Sequence, residues 1–122
     1  MTEKKNGVVQ IYDGFKLNHE YFCFNGKIEG ELKSYFIDGQ LDIIFNYIND
    51  KAEGEYKSYY YENGQLYKIF NYKDDKKEGK YKKYWSNGQL HIICNYKNNK
   101  IEGEYKSYRK NGQSIRTNIN NM

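Results

Sequence analysis

The 122-residue chain contains no proline, two cysteines, two histidines and one tryptophan. Without proline, every residue keeps its backbone N–H for a hydrogen-bonded ladder. Two cysteines cannot make a disulfide framework and point to a reducing compartment. A cytoplasmic location is therefore expected, that of a bacterium or of the host if the source is viral. No apolar run approaches the roughly 20 residues that cross a bilayer, and no apolar stretch of a signal peptide follows Met1–Asn6. Arginine is scarce too: Arg109 and Arg116 are the only two among 20 basic residues, set against 16 acidic ones. A net charge of +4 is too mild to announce nucleic acid or a membrane surface. What the chain has in excess is tyrosine, 15 residues, with 30% charged side chains. Asn, Lys, Ile and Tyr, all with A/T-rich codons, dominate the composition, which fits A/T-rich bacterial and viral genomes equally.

Internal repeats decide the architecture. Lys-x-Glu-Gly recurs at Lys27–Gly30, Lys51–Gly54, Lys76–Gly79 and Lys100–Gly103. Asp/Asn-Gly-Gln recurs at Asp38–Gln40, Asn63–Gln65, Asn87–Gln89 and Asn111–Gln113. The first set of glycines is spaced 24, 25 and 24 residues apart and the second 25, 24 and 24. One extra residue thus falls within Tyr59-Tyr60-Tyr61-Glu62, where the spacing predicts a β-bulge. Asn-Gly between tyrosine- and isoleucine-rich runs predicts a hairpin with a type I′ turn. Asn49-Asp50, Asp74-Asp75 and Asn98-Asn99 supply a second turn per unit.

Each unit is strand, turn, strand, turn, with nothing left for a helix. Short connections force antiparallel neighbours. The expected fold is all-β: a single-layer, twisted antiparallel meander of about ten strands, built of tandem β-hairpins that each touch mainly their neighbours. Residues 1–122 form a single repeat domain in this reading. Residues 1–26 are a degenerate N-terminal cap, 27–50, 51–75 and 76–99 are full repeats, and 100–122 is a truncated C-terminal repeat.

Alternation of side chains along a strand places Leu41, Ile43, Phe45 and Tyr47 on one face, with their equivalents in the next units. Ile44, Asn46 and Ile48 take the other. A single layer buries only part of the first face, and an exposed apolar and aromatic strip marks an interaction surface. Phe36, Phe45, Tyr60, Phe70, Tyr72 and Trp85 are the candidate protein-binding anchors, since aromatic residues dominate interface centres. Intramolecular ladder packing is the competing role for each. Lys33, Lys57, Lys82 and Lys106 form a basic column, but Glu31, Glu55 and Glu104 run beside it and suit cross-strand pairing.

Chemistry beyond binding finds little support. His19 and Cys23 sit about three repeats from His91 and Cys94, too far along a linear array to converge on zinc. The Lys-x-Glu-Gly sites lack the glycine spacing and following helix of a phosphate cradle. Their glycine is expected to relieve crowding or to permit a bulge. No catalytic residue, metal or cofactor is expected.

The unit Glu53-Gly54-Glu55-Tyr56-Lys57-Ser58-Tyr59, then Asn63-Gly64-Gln65-Leu66, then Ile69-Phe70-Asn71-Tyr72-Lys73 resembles the MORN repeat. It is closest to the variant class found in bacterial proteins assigned as antitoxins of toxin–antitoxin systems. The resemblance covers residues 27–113 and implies a non-enzymatic protein with roles in scaffolding, dimerisation or lipid binding. Three functional readings follow. The first is a protein–protein interaction module, antitoxin- or immunity-like, that docks a toxin-like protein or a second copy through its apolar tyrosine-rich face. The second is a scaffold or homodimerisation protein with no specific ligand. The third, a sheet binding nucleic acid or anionic lipid, is disfavoured by the paired charges.

Overall fold

The computed structural model describes the backbone of residues 6–120 and the side chains of residues 6–115. It consists of β1 (Gly7–Asp13), β2 (Lys16–Phe24), β3 (Lys27–Tyr35), β4 (Leu41–Ile48), β5 (Lys51–Tyr59), β6 (Leu66–Lys73), β7 (Lys76–Lys77), β8 (Gly79–Tyr84), β9 (Leu90–Lys97), β10 (Lys100–Tyr108) and β11 (Ser114–Asn120). They form one antiparallel sheet in chain order, with the two-residue β7 set against β6. The meander expected from the repeats is the fold. Its turns and faces, however, differ from expectation.

The two kinds of turn exchange roles. At Phe36, Trp85 and Arg109, the residue donates its N–H to the glutamine carbonyl four positions on at 2.8 Å, and its carbonyl accepts from the glycine N–H at 2.9 Å. These are three-residue loops in which only the glycine has positive φ (92° at Gly39, 89° at Gly88 and 90° at Gly112), not type I′ turns. The acidic or amide side chain explains the form. Asp38, Asn63, Asn87 and Asn111 Oδ1 each accept the N–H of the glutamine two residues on, at 2.9–3.0 Å. Type I′ geometry occurs instead at Asn25-Gly26, Asn49-Asp50, Asp74-Asp75 and Asn98-Asn99, whose φ values all lie between 50° and 77°.

The extra residue does not make the bulge expected within Tyr59–Glu62. Tyr60 donates to the Gln65 carbonyl at 2.8 Å and accepts from Gly64 N–H at 2.9 Å, so the loop simply has four residues, 61–64. A loop absorbs an insertion without disturbing the strand pairing on either side. Bulges occur elsewhere and in every hairpin: Asn18, Asp42, Tyr67, His91 and Ile115 are each skipped on the returning strand. Thus Ser34 pairs with Ile43, but Tyr35 pairs with Leu41. One skipped residue reverses the parity of what lies beyond it. Leu41, Leu66 and Leu90 consequently lie with Tyr35, Tyr59 and Tyr84 on the face of Lys33, Lys57 and Lys82, opposite Ile43, Phe45 and Tyr47. The expected grouping of Leu41 with those three residues is corrected.

A second irregularity marks each Glu-Gly site. Phe45↔Tyr56 is followed by Tyr47↔Ala52, so residues 53–55 stand against Asn46 alone. Gly54 has φ 89°, and a Cβ there would meet nothing within 4 Å. Glycine is needed for its backbone conformation, not for space: the bulge reading holds and the crowding reading does not. This excursion aims the preceding glutamate at the next type I′ turn. Glu29, Glu53 and Glu78 Oε1 accept the N–H of Asn49, Asp74 and Asn98 at 2.8, 3.1 and 3.3 Å. In return Asp50, Asp75 and Asn99 Oδ1 accept the N–H of Ile28, Ala52 and Lys77 at 2.9, 2.7 and 3.0 Å. Their own N–H groups donate to the carbonyls of those same residues at 3.0 Å. Lys-x-Glu-Gly and the second turn are two halves of one clasp between successive units.

With one layer, little is sealed from water. Among the described residues only Cys23, Ala52, Ser58, Phe70, Tyr81 and Cys94 are buried. Phe70, Tyr81 and Cys94 form the core cluster, with Tyr56, Tyr72, Ile92, Tyr96, Ile101 and Tyr105 packed around it.

Candidate interaction surface

The register brings one ring from each of β4, β5, β6 and β8 into line on the core face, with Cys94 of β9 beside them. Phe45 pairs with Tyr56, Tyr56 with Phe70, and Tyr81 with Cys94. Ring centres are 5.4 Å apart for Phe45–Tyr56, 4.4 Å for Tyr56–Phe70 and 5.4 Å for Phe70–Tyr81. A second row crosses this ladder: Tyr47, Tyr72 and Tyr96 lie 5.1, 5.2 and 5.3 Å from Phe45, Phe70 and Tyr81. Such offset and edge-on contacts each add about 0.5–1.5 kcal/mol beyond area burial. Burial, and then the neighbouring Tyr96, push the Tyr81 hydroxyl up to about 12. Burial likewise raises the Cys94 thiol, so this cysteine packs as a small hydrophobe and is a poor nucleophile.

Phe45, Phe70 and Tyr72 fall in this cluster. Phe45 and Tyr72 are half-buried, whereas Phe70 is 5% exposed and offers a partner almost nothing beyond its support of the rings around it. Phe36, Tyr60 and Trp85 lie apart, at the end of the sheet where the three- and four-residue loops gather, and all three are half-buried. Phe36 sits 5.2 Å from Tyr61 of the next unit. Tyr60 donates its hydroxyl to the Tyr84 carbonyl at 2.6 Å and rests 4.7 Å from Tyr67. Trp85 donates Nε1–H to the Tyr108 carbonyl at 2.9 Å and stacks on His91 at 3.7 Å. The six residues thus form two patches, and each loop-end ring also ties one unit to the next.

Sequence reasoning passed over the rings that complete these patches. Tyr67 and His91 occupy bulges, so strand alternation gave no signal for them. Tyr56 and Tyr81 were legible as a repeated column, but only the register shows that they alternate with Phe45 and Phe70. Lys77 was legible as a departure from Ile28, Ala52 and Ile101 at its column. Its ammonium sits 5.1, 5.5 and 5.1 Å from the rings of Phe70, Tyr81 and Tyr96. Burial, followed by the Lys68 ammonium, pushes this amine below the ordinary lysine value.

The opposite face carries the Leu41, Ile44 and Tyr59 columns beside charged rows. The ion pairs there do not bridge strands as expected. Lys33–Glu31, Lys57–Glu55 and Lys106–Glu104 run along a single strand, two residues apart, at 4.0, 3.3 and 3.5 Å. Residues that alternate twice return to the same face, and the exposed ends meet there. Pairs this exposed contribute little. At the N-terminal end, a groove of about 380 Å³ is lined by Asp13, Phe15, Leu17, Tyr35, Phe36 and Ile37. Phe15 and Ile37 at its rim are fully and largely exposed.

An open sheet of clasped hairpins, with ring ladders in place of a second layer, defines a tandem β-hairpin repeat protein. Residues 52–74 and 77–98 match the family model described as MORN repeat variant. These two adjacent units are MORN repeats of that variant class, which supports a MORN-repeat protein. MORN repeats in general mediate protein or membrane interactions, and the family is non-enzymatic. No curated protein matches the chain. Among solved structures, a chain of the GtfA/B complex bound to UDP and GlcNAc is similar at 11% identity and a TM-score of 0.38. The alignment covers 96% of this chain and 22% of that one, a likeness too loose to carry an argument.

Proposed function

We propose that this chain is a non-enzymatic protein-interaction module whose aromatic core face and adjoining loop end dock another protein. One observation carries the reading: a ten-strand path lays two rows of aromatic rings on one face, and among the described residues no second layer covers them. Contiguous apolar surface of that kind is characteristic of interaction sites. The partner in this reading is a toxin-like protein, in keeping with the antitoxin assignment of similar variant MORN proteins. A second copy of the chain is the other occupant, which would make the module a homodimerisation element.

Of the six anchors, Phe36 gives the cleanest test. Among the described residues its ring pairs with one other ring, whereas Tyr60 and Trp85 also hold a carbonyl of the next unit. The chain is co-expressed with the product of the adjacent gene, and co-purification is compared for the wild type and Phe36→Ser. Light scattering over a concentration series follows self-association. Capture or self-association weakened about tenfold, equivalent to about 1.4 kcal/mol, with an unchanged urea midpoint supports docking. Parallel loss of capture and stability, or a monomer that captures nothing, refutes it.

A further inference from the structure

The row of the core face next to the aromatic ladder is almost uniform. Reading across the strands, Ser34 pairs with Ile43, Ile43 with Ser58, and Ser58 with Lys68. Lys83 then pairs with Ile92, and Ile92 with Ser107. Where the flanking junctions set isoleucine against serine, the central one sets Lys68 against Lys83. Directly opposed residues of an antiparallel pair have Cβ atoms about 5 Å apart, and like charges there repel. Both ammoniums are drawn over one ring, 4.9 and 5.5 Å from the centre of Tyr67. Lys77, on the same face, departs from an apolar column in the same part of the array. Its amine is held low by burial and then by Lys68, and the His91 imidazole by burial and then by Lys83. Among the described residues no carboxylate contributes at either group. Among the described residues the ion pairs all lie on the opposite face, at Lys33, Lys57 and Lys106.

Three lysines therefore stand where the flanking units have neutral residues, on a face of rings, isoleucine and serine, and among the described residues no acidic side chain forms an ion pair with them. We propose that Lys68 and Lys83, supported by Lys77, form an anion-binding site over the Tyr67 ring for a phosphate monoester group. A doubly charged group with several acceptor oxygens matches two ammoniums held at one ring better than a single carboxylate does, and lysine binds phosphate as a point charge. The bulge at Tyr67 completes the site, because it returns an extra aromatic side chain to the lysine-bearing face. The same chemistry could be presented by a soluble phosphate ester or by a phosphomonoester lipid headgroup. The site stands whether or not the surrounding rings dock a protein.

The array supplies its own control. Lys68→Ile and Lys83→Ser restore the residues of the flanking junctions, so the double variant should fold and resist urea at least as well as the wild type. Glycerol 3-phosphate is titrated into both proteins at low ionic strength, and lysine and Tyr67 resonances are followed by NMR. Binding to phosphatidic acid vesicles and to phosphatidylcholine vesicles is measured by sedimentation. The expected result is saturable shifts at Lys68, Lys83 and Tyr67, weakened about tenfold or more in the double variant. Vesicle retention that requires phosphatidic acid and both lysines identifies the headgroup as a source; shifts with glycerol 3-phosphate alone identify a soluble ester. Equal shifts in the double variant, an equal response to chloride, or no response to either probe would overturn the site.

Discussion

Replacing Phe70 with alanine is the sharpest test of the ladder as the source of stability. Phe70 is 5% exposed, and its ring lies 4.4, 5.2 and 5.4 Å from the rings of Tyr56, Tyr72 and Tyr81, with the Lys77 ammonium 5.1 Å above it. Removing a buried phenylalanine side chain costs about 3–5 kcal/mol. The lower end applies here, because the vacated space opens towards the uncovered face and need not remain an empty cavity. A loss of about 3 kcal/mol is a large part of the roughly 5–15 kcal/mol that holds a domain together. Urea unfolding followed by near-ultraviolet circular dichroism would read it as a shift in midpoint, with the slope checked for unit-by-unit melting. Phe45→Ala, at the half-buried equivalent position, should cost distinctly less. Phe70→Cys should be tolerated better than Phe70→Ala, since Cys94 already fills that column. A Phe70→Ala cost under about 1 kcal/mol, or one no greater than that of Phe45→Ala, would refute the core assignment.

Three further outcomes follow from the same contacts. Gly54→Ala and Gly88→Ala should each lower stability by about 1–2 kcal/mol through φ, because the one atom that a Cβ at Gly88 would crowd, Gln65 Oε1 at 3.1 Å, ends a flexible side chain that can move aside; an unchanged midpoint for either would count against this. Glu53→Ala removes one bond of a clasp, that to Asp74 N–H at 3.1 Å, and should cost about 0.5–1.5 kcal/mol, whereas Lys51→Ala in the same motif should be neutral in urea. Tyr81 has its pKa raised from 10.0 to about 12 in the fold. The unfolded chain therefore releases this proton first, and the stabilisation present below pH 10 is lost as pH rises through about 12. Thermal melts across that window, with tyrosinate absorbance as the monitor, should show falling midpoints, and a flat profile would contradict the burial of Tyr81.

How much of this was legible differs from feature to feature. The clasp shows the division: its glutamates and turn residues were visible as repeats, but their partnership was not. Glu53 and Asp74 are distant in the repeat, and only the two-residue slip at Gly54 brings carboxylate and N–H together. The anchors divide in the same way. Aromatic content picked out Phe45, Phe70 and Tyr72, but burial separates Phe70 from the other two, and the loop end holds Phe36, Tyr60 and Trp85 as a second patch.

By itself the sequence determined the hairpin nature of the repeat and the antiparallel order of its strands, with no helix among the described residues. These depend on local rules, the period of the pattern and the length of the connections, which cannot be satisfied any other way in so short a repeat. Tertiary structure alone decided which face each leucine occupies, which of two turn-forming pairs adopts type I′ geometry, and that Lys68 meets Lys83. Each of those turns on register, and a single skipped residue such as Tyr67 inverts the faces beyond it. No spacing counted along the chain carries that information, because the bulge changes the pairing without changing the length of the repeat.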